Sequence, residues 1–317
     1  MSNNLFEKQE FKKRVLFIGI PDMAYICLEG LQMSGVNIVG VMGAKKDHNT
    51  YSNFKEFVAS KNLNFIEYDD LKDENFIQKI KDLNIDIAVV CSFNYKVPKV
   101  FLEAVKDGFV NVHPSLLPNY RGKNPYASVI VNDEKLTGVT LHFMDEGWDT
   151  GDIIVQHELP VTQRETMGTL FNRLNFLGLE LLLKVLTFYE KSELPRAQQP
   201  QGKFVEGLDF SEDAVFINYN KSAEEIERFV RALNPFIIAS TTFRSTFVKV
   251  FSALNIKQTE KLDYPVGTIV SIKDDKFYVT TQDGLIAPTV LQFGSFFMGS
   301  SKDFIDILNP KIGEKFE

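Results

Sequence analysis

Apolar runs and amphipathic stretches alternate through the first 190 residues. Residues 14–20, RVLFIGI, are almost wholly apolar, the pattern of a parallel strand buried on both faces. Similar β-rich runs predict strands over residues 36–42, 64–68, 85–91, 109–113, 137–144 and 153–159. Between them the pattern predicts helices over residues 21–31, 51–61, 74–83, 126–131 and 166–190. In the last of these Leu170, Leu174, Leu177, Leu181 and Val185 recur at three- and four-residue steps and form one apolar stripe. Strands alternating with helices at this spacing imply βαβ units. The predicted class is α/β, a Rossmann-like, mostly parallel sheet with helices on both faces.

The pattern changes after residue 191. Residues 192–208 hold two prolines, two glycines and several glutamines without periodicity, which reads as a connecting segment over the surface. Ser222 and Glu225 then form a capping box before a helix with Ile226, Phe229, Val230 and Leu233 on one face. Short alternating runs at residues 247–251, 267–272, 277–281 and 285–293, separated by Asp-Gly and Pro-Val-Gly turns, predict a small antiparallel, OB-like barrel. The expected organisation is a catalytic domain over residues 1–191, a linker over 192–213 and a barrel-like domain over 214–317.

A length of 317 residues agrees with one large and one smaller domain. The net charge of −7 argues against a general polyanion binder, because releasing counterions from phosphates needs an excess of Lys and Arg. Local phosphate contacts stay open. Residues 1–13 are polar, and no apolar run reaches the length of a membrane span, so a cytoplasmic location is expected. Cys27 and Cys91 lie in apolar segments and read as buried free thiols. Pro21 and Asp22 open the first helix. The preceding turn, Gly19-Ile-Pro-Asp22, has one of the three glycines of a dinucleotide fingerprint, which speaks against NAD.

The chemistry concentrates in FVNVHPSLLPNYR, residues 109–121, and MDEGWDTGD, residues 144–152. Asn111 and His113 share a strand face about 7 Å apart, and Pro114 ends the strand. An amide can donate to an oxygen that becomes anionic, an imidazole can handle a proton, and Asp149 can fix the state of that imidazole. Ser115 follows proline and lacks a nucleophile elbow, so direct group transfer is expected. Asp145, Glu146, Asp149 and Asp152 fail the calcium-loop spacing, and no metal is expected. His142 and His157 lie inside predicted strands and read as partly buried, hydrogen-bonded imidazoles. His48 reads as an isolated surface histidine. On the residues alone, Phe93 and Tyr95 suit core caps and ligand contacts equally.

Asn111-Val-His113-Pro-Ser115-Leu-Leu-Pro118, then Arg121-Gly122 and Asp149-Thr-Gly151, together resemble the folate-dependent formyltransferase family. The resemblance implies that Asn111, His113 and Asp149 are catalytic, with a protonated His113 and Asn111 stabilising the oxyanion. It implies 10-formyltetrahydrofolate as co-substrate, held by Tyr95, Lys96, Val97, Ser115, Leu116, Leu117 and Pro118 and by the backbone of Asp145, Glu146, Gly147 and Trp148. This tips the reading of residues 93–97 toward function. Members of the family formylate aminoacyl-tRNA, a ribonucleotide or aminosugars. Here the segment after the second strand is short, with Lys45 and Lys46 but no arginine, and the chain is acidic. Tyr120, Arg121 and Lys123 could meet folate or a diphosphate at the mouth. These features favour a dTDP- or UDP-linked 4-amino sugar as acceptor. The alternative is charged methionyl-tRNA, and a non-catalytic folate-binding relative is the third reading. A homodimer stays open.

Overall fold

Strand β1 (Val15–Gly19) is buried at all five positions and lies between β2 (Ile38–Met42) and β3 (Ile87–Cys91), both parallel to it. The structure is a computed structural model describing residues 10–21, 23–202, 204–209, 212–257 and 263–317. The predicted helix start at Asp22 lies outside the described residues. Strand β4 (Phe109–His113) continues the sheet in parallel, whereas β5 (Leu136–Phe143) and β6 (Ile153–Pro160) complete it antiparallel. The order is β2-β1-β3-β4-β5-β6, a mostly parallel Rossmann-like sheet. Residues 64–68 are not a strand. Only Phe65 bridges Val41, after which Tyr68 turns away to donate its hydroxyl to the Gly43 carbonyl.

The connecting helices are α1 (Met23–Met33), α2 (Tyr51–Ser60), α3 (Glu74–Asp82), α4 (Lys99–Leu102), α5 (Pro125–Val131) and α6 (Met167–Tyr189). One sheet face packs Leu16, Ile18, Ala88 and Val90 against Phe76, Ile80 and Phe101 of α3 and α4. On the other face α1 and α6 interlock at glycines. A Cβ on Gly178 would stand 2.9 Å from both Met23 and Val112, so glycine lets α6 reach β4.

The chain divides into two compact units. The first comprises the described residues of Met1–Gly122, Leu136–Pro160 and Asn172–Glu206; the second comprises those of Lys123–Lys135, Val161–Phe171 and Gly207–Glu317. The second unit holds α5, α7 (Ala223–Leu233), β7 (Ala239–Phe243), β8 (Thr246–Lys257), β9 (Ile269–Lys273), β10 (Lys276–Thr280), β11 (Gly284–Phe293), β12 (Phe297–Ser300) and α8 (Ser301–Leu308). The Ser222–Glu225 capping box before α7 is formed. The antiparallel sheet runs β7-β8-β11-β10-β9, with β12 on β11. Its two edges, β7 and the start of β9, each bond the C-terminal stretch through the bridges Phe243–Phe316 and Thr268–Lys315, so that stretch closes a small barrel. Phe243, Phe277, Phe304 and Phe316 fill the interior.

Cys27 and Cys91 are buried free thiols. Among the described residues no helix is long and apolar enough to cross a membrane. Residues 192–206 do more than connect. Ala197 exchanges two backbone hydrogen bonds with Ile153, and Tyr120 donates its N–H to the Val205 carbonyl, so this stretch is stitched to the sheet edge.

Candidate active site

Antiparallel pairing of β4 with β5 sets Asn111 opposite His142 and His113 opposite Thr140. Directly opposed residues share a face, so all four side chains line one patch at the end of the sheet. Thr140 supports the loop beyond: its hydroxyl donates to the Ser115 carbonyl at 2.7 Å and accepts from the Leu117 N–H at 3.2 Å.

The turn after β5 lifts Asp149 onto the same patch. Asp149 has φ +54°, a left-handed conformation that Asp and Asn tolerate better than other side chains. Gly151 is required two residues later, because a Cβ there would meet the Phe143 carbonyl oxygen at 1.9 Å. The Asp149 carboxylate is then surrounded. Gly122 N–H donates to Oδ2 at 2.9 Å and Asn111 Nδ2 donates to Oδ1 at 3.1 Å. His113 Nδ1 stands 3.5 Å from Oδ2 and His142 Nε2 stands 3.4 Å from Oδ1. Asn111 and His113 thus meet through Asp149 and not directly.

Burial lowers the affinity of His113 for a proton, and the nearby Asp149 offsets this only in part. For Asp149, burial works toward a higher value, but the charge that the facing histidines carry once protonated, together with the Gly122 N–H, outweighs it and holds the carboxyl well below the usual range. The resting pair is therefore a carboxylate beside a neutral imidazole. His113 Nε2 donates to the Tyr120 carbonyl at 2.8 Å, since a carbonyl can only accept, and this leaves Nδ1 bare toward Asp149.

Both shifts act on stability in the same direction. Each group binds protons more readily in the unfolded chain, so its contribution is present above the unfolded pKa and is lost as pH falls. Thermal unfolding is expected to show stability declining below about pH 6.5 through His113 and further below about pH 4 through Asp149. In a His113→Asn variant the first decline should be shallower; an unchanged slope between pH 6.5 and 4.5 would contradict the assignment.

Sequence patterns missed three contributors to this patch. His142, only 1% exposed, donates from Nδ1 to the Phe143 carbonyl at 2.8 Å. Gly122 contributes the N–H on Asp149. Gln199, from the stretch read as linker, is 6% exposed; it donates to the carbonyls of Asp149 and Gly151 at 2.8 Å each and accepts from Arg121 Nε at 3.2 Å. Gln199→Ala would take the donor from the buried Gly151 carbonyl and the part-buried Asp149 carbonyl, at a folding cost of about 1–3 kcal/mol. By loosening Asp149 it is expected to cut turnover by about ten- to a hundredfold. Denaturant unfolding and steady-state kinetics check the two effects.

The other predicted residues divide. Phe93 and Val97 are buried in the apolar cluster on which Tyr95 and Met144 pack, with Tyr95 edge-on to Phe93 at 5.2 Å, while Lys96 is exposed. Asp145, Glu146, Gly147 and Trp148 are exposed, and Asp145 is taken up by the Gly147 N–H and the Thr150 hydroxyl. The half-buried Tyr95 ring beside the exposed loop 145–148 suits contact with a flat heterocycle. Ser115 and Leu117 are buried and Leu116 and Pro118 half-buried; the Ser115 hydroxyl donates to Asn119 O, so it is spoken for internally. Tyr120 is buried and meets His113 through its backbone. Arg121 is held by Gln199, and Lys123 lies in the second unit, paired with Asp209. His48 bonds Thr50, and His157 is exposed, unlike the partly buried imidazole expected, because β6 is an edge strand. Among the described residues no cluster of His, Cys, Asp and Glu is arranged to hold a metal ion.

Residues 13–186 match the family described as formyl transferase, and residues 210–307 match the formyl transferase C-terminal domain. A methionyl-tRNA formyltransferase of Clostridioides difficile is 35% identical over 86% of this chain and 90% of its own length. One from Halothermothrix orenii is 32% identical over 95% of this chain and 99% of its own. A crystal structure of an N-formyltransferase from Helicobacter canadensis, in complex with folinic acid and dTDP-3-aminofucose, shares the fold with a TM-score of 0.64. It is 21% identical, covering 87% of this chain and 98% of that one.

Proposed function

The chain belongs to the formyltransferase family and is a formyltransferase, and we propose that it moves the formyl group of 10-formyltetrahydrofolate onto the amine of methionyl-tRNA. The observation that carries this acceptor is identity of 32–35% to methionyl-tRNA formyltransferases over most of the chain. It overturns the nucleotide-linked aminosugar expected from the sequence, since the sugar enzyme is 21% identical and resembles this chain in fold. That expectation rested on one short loop, on net charge and on Tyr120, Arg121 and Lys123 as diphosphate contacts, whereas Arg121 is held by Gln199 and Lys123 by Asp209. Net charge averages over the whole surface, whereas phosphate contacts depend on where individual cations stand.

The residues support a direct transfer. A bond forms between the acceptor nitrogen and the formyl carbon, the bond from that carbon to the folate nitrogen breaks, and the proton leaving the acceptor ends on the folate nitrogen. Asn111 offers an amide donor for the oxygen that gains charge. His113 is neutral at rest and can take a proton on Nδ1, where the contact with Asp149 becomes an ion pair. Tyr120 O holds the ring in place through Nε2. The exposed loop Asp145–Trp148 and the half-buried Tyr95 with Lys96 beside it, backed by Phe93 and Val97, are the surfaces assigned to folate.

The test is to supply the enzyme with 10-formyltetrahydrofolate and methionyl-tRNA, with dTDP- and UDP-amino sugars in parallel. Formylmethionyl-tRNA is the expected product; formylated sugar with unmodified tRNA would overturn the acceptor.

A further inference from the structure

We propose that His142 is a positioning residue for the transfer, fixing which end of the Asn111 amide faces the reacting group. This rests on the formyl-transfer reading above. His142 Nδ1 lies 2.8 Å from the Phe143 carbonyl oxygen, so Nδ1 carries the proton in the neutral ring and Nε2 is a bare acceptor. Asn111 Nδ2 lies 3.1 Å from that Nε2 and 3.1 Å from Asp149 Oδ1. Both neighbours accept only. A flipped amide would present its oxygen to a lone pair and a carboxylate at once, so the pair selects the orientation with nitrogen inward.

The two amide hydrogens then have different roles. The one on His142 anchors the group, because Nε2 is buried and Asn111 Nδ2 is the donor that meets it at 3.1 Å. The one on Asp149 can pass to a substrate oxygen, because Asp149 keeps the Gly122 N–H and His113. The titratable groups facing the His142 ring are Asp149, at 3.4 Å, and His113, with ring centroids 6.3 Å apart. On β6 its partner is Ile153, which carries no charge.

Nitrogen-15 spectra of the free enzyme read the tautomer without any acceptor substrate. The expected state of His142 is a protonated Nδ1 with a bare Nε2, and an Nε2–H tautomer would overturn the proposal. In kinetics, His142→Leu is expected to lower kcat by roughly ten- to a hundredfold with KM values within about twofold. His142→Gln supplies an accepting oxygen in place of Nε2 and should recover most of kcat. Wild-type kcat in His142→Leu, or a His142→Gln enzyme no better than His142→Leu at any pH, would also overturn it. If the wild type fails to formylate tRNA, the acceptor reading fails, while the tautomer still decides the role of His142.

Discussion

Asn111→Ala is expected to lower kcat by about 10²–10³, the range for removing one preorganised donor to a developing oxyanion. The amide sits on a rigid central strand, with its nitrogen directed by His142 and Asp149, so it needs no rearrangement before it donates. That is why the loss should appear in kcat. The ground-state formyl oxygen is nearly neutral and gains little from the donor, so folate affinity should change by less than about threefold. Trp148, the single tryptophan, is 52% exposed in the loop assigned to folate, and its fluorescence offers a direct titration of binding. Turnover within about threefold of wild type would remove Asn111 from the mechanism. A fall in folate affinity equal to the fall in kcat/KM would reassign it to substrate binding.

Much of this arrangement is legible in the chain because it depends on local pattern. The all-apolar runs at β1 and β3 specify strands buried on both faces, and Pro114 marks the end of β4. Asn111-x-His113 specifies one face by alternation alone. What stayed hidden depends on pairing between distant segments. The opposition of Asn111 and His142 requires β5 to run antiparallel to β4 in one register, and neither direction nor register is written in either strand. Gln199 stands in an aperiodic stretch, where one buried amide satisfying two carbonyls leaves no repeat to detect. β7 and β12 are short strands in a barrel closed by residues 315–316, and closure of that kind is a property of the whole sheet. Burial, which keeps His113 neutral at rest, is likewise a property of the packed structure.

Asp149→Asn should be the other large loss, about 10²-fold or more in kcat, for a reason distinct from that of Asn111. The substitution keeps volume and tolerates φ +54°, so the turn should hold its shape. It replaces a group that only accepts with one that also donates, facing two donors, Gly122 N–H and Asn111 Nδ2. Whichever way the new amide turns, its nitrogen meets one of those donors and leaves it unpaired, at about 1–3 kcal/mol. The imidazolium of His113 also loses the charge that would stabilise it, so the proton given up by the acceptor has no favoured station. The signature is in the pH dependence. Without Asp149, the main offset to the burial that already lowers the proton affinity of His113 is gone and the Tyr120 carbonyl remains, so the His113 titration seen by NMR should move to still lower pH than in the wild type. The stability loss below about pH 4 attributed to this carboxylate should vanish from the unfolding profile at the same time. If the His113 titration stays where it is in the wild type, Asp149 is not the group that sets its charge, and the rate loss must then come from Asn111 losing one of its two partners.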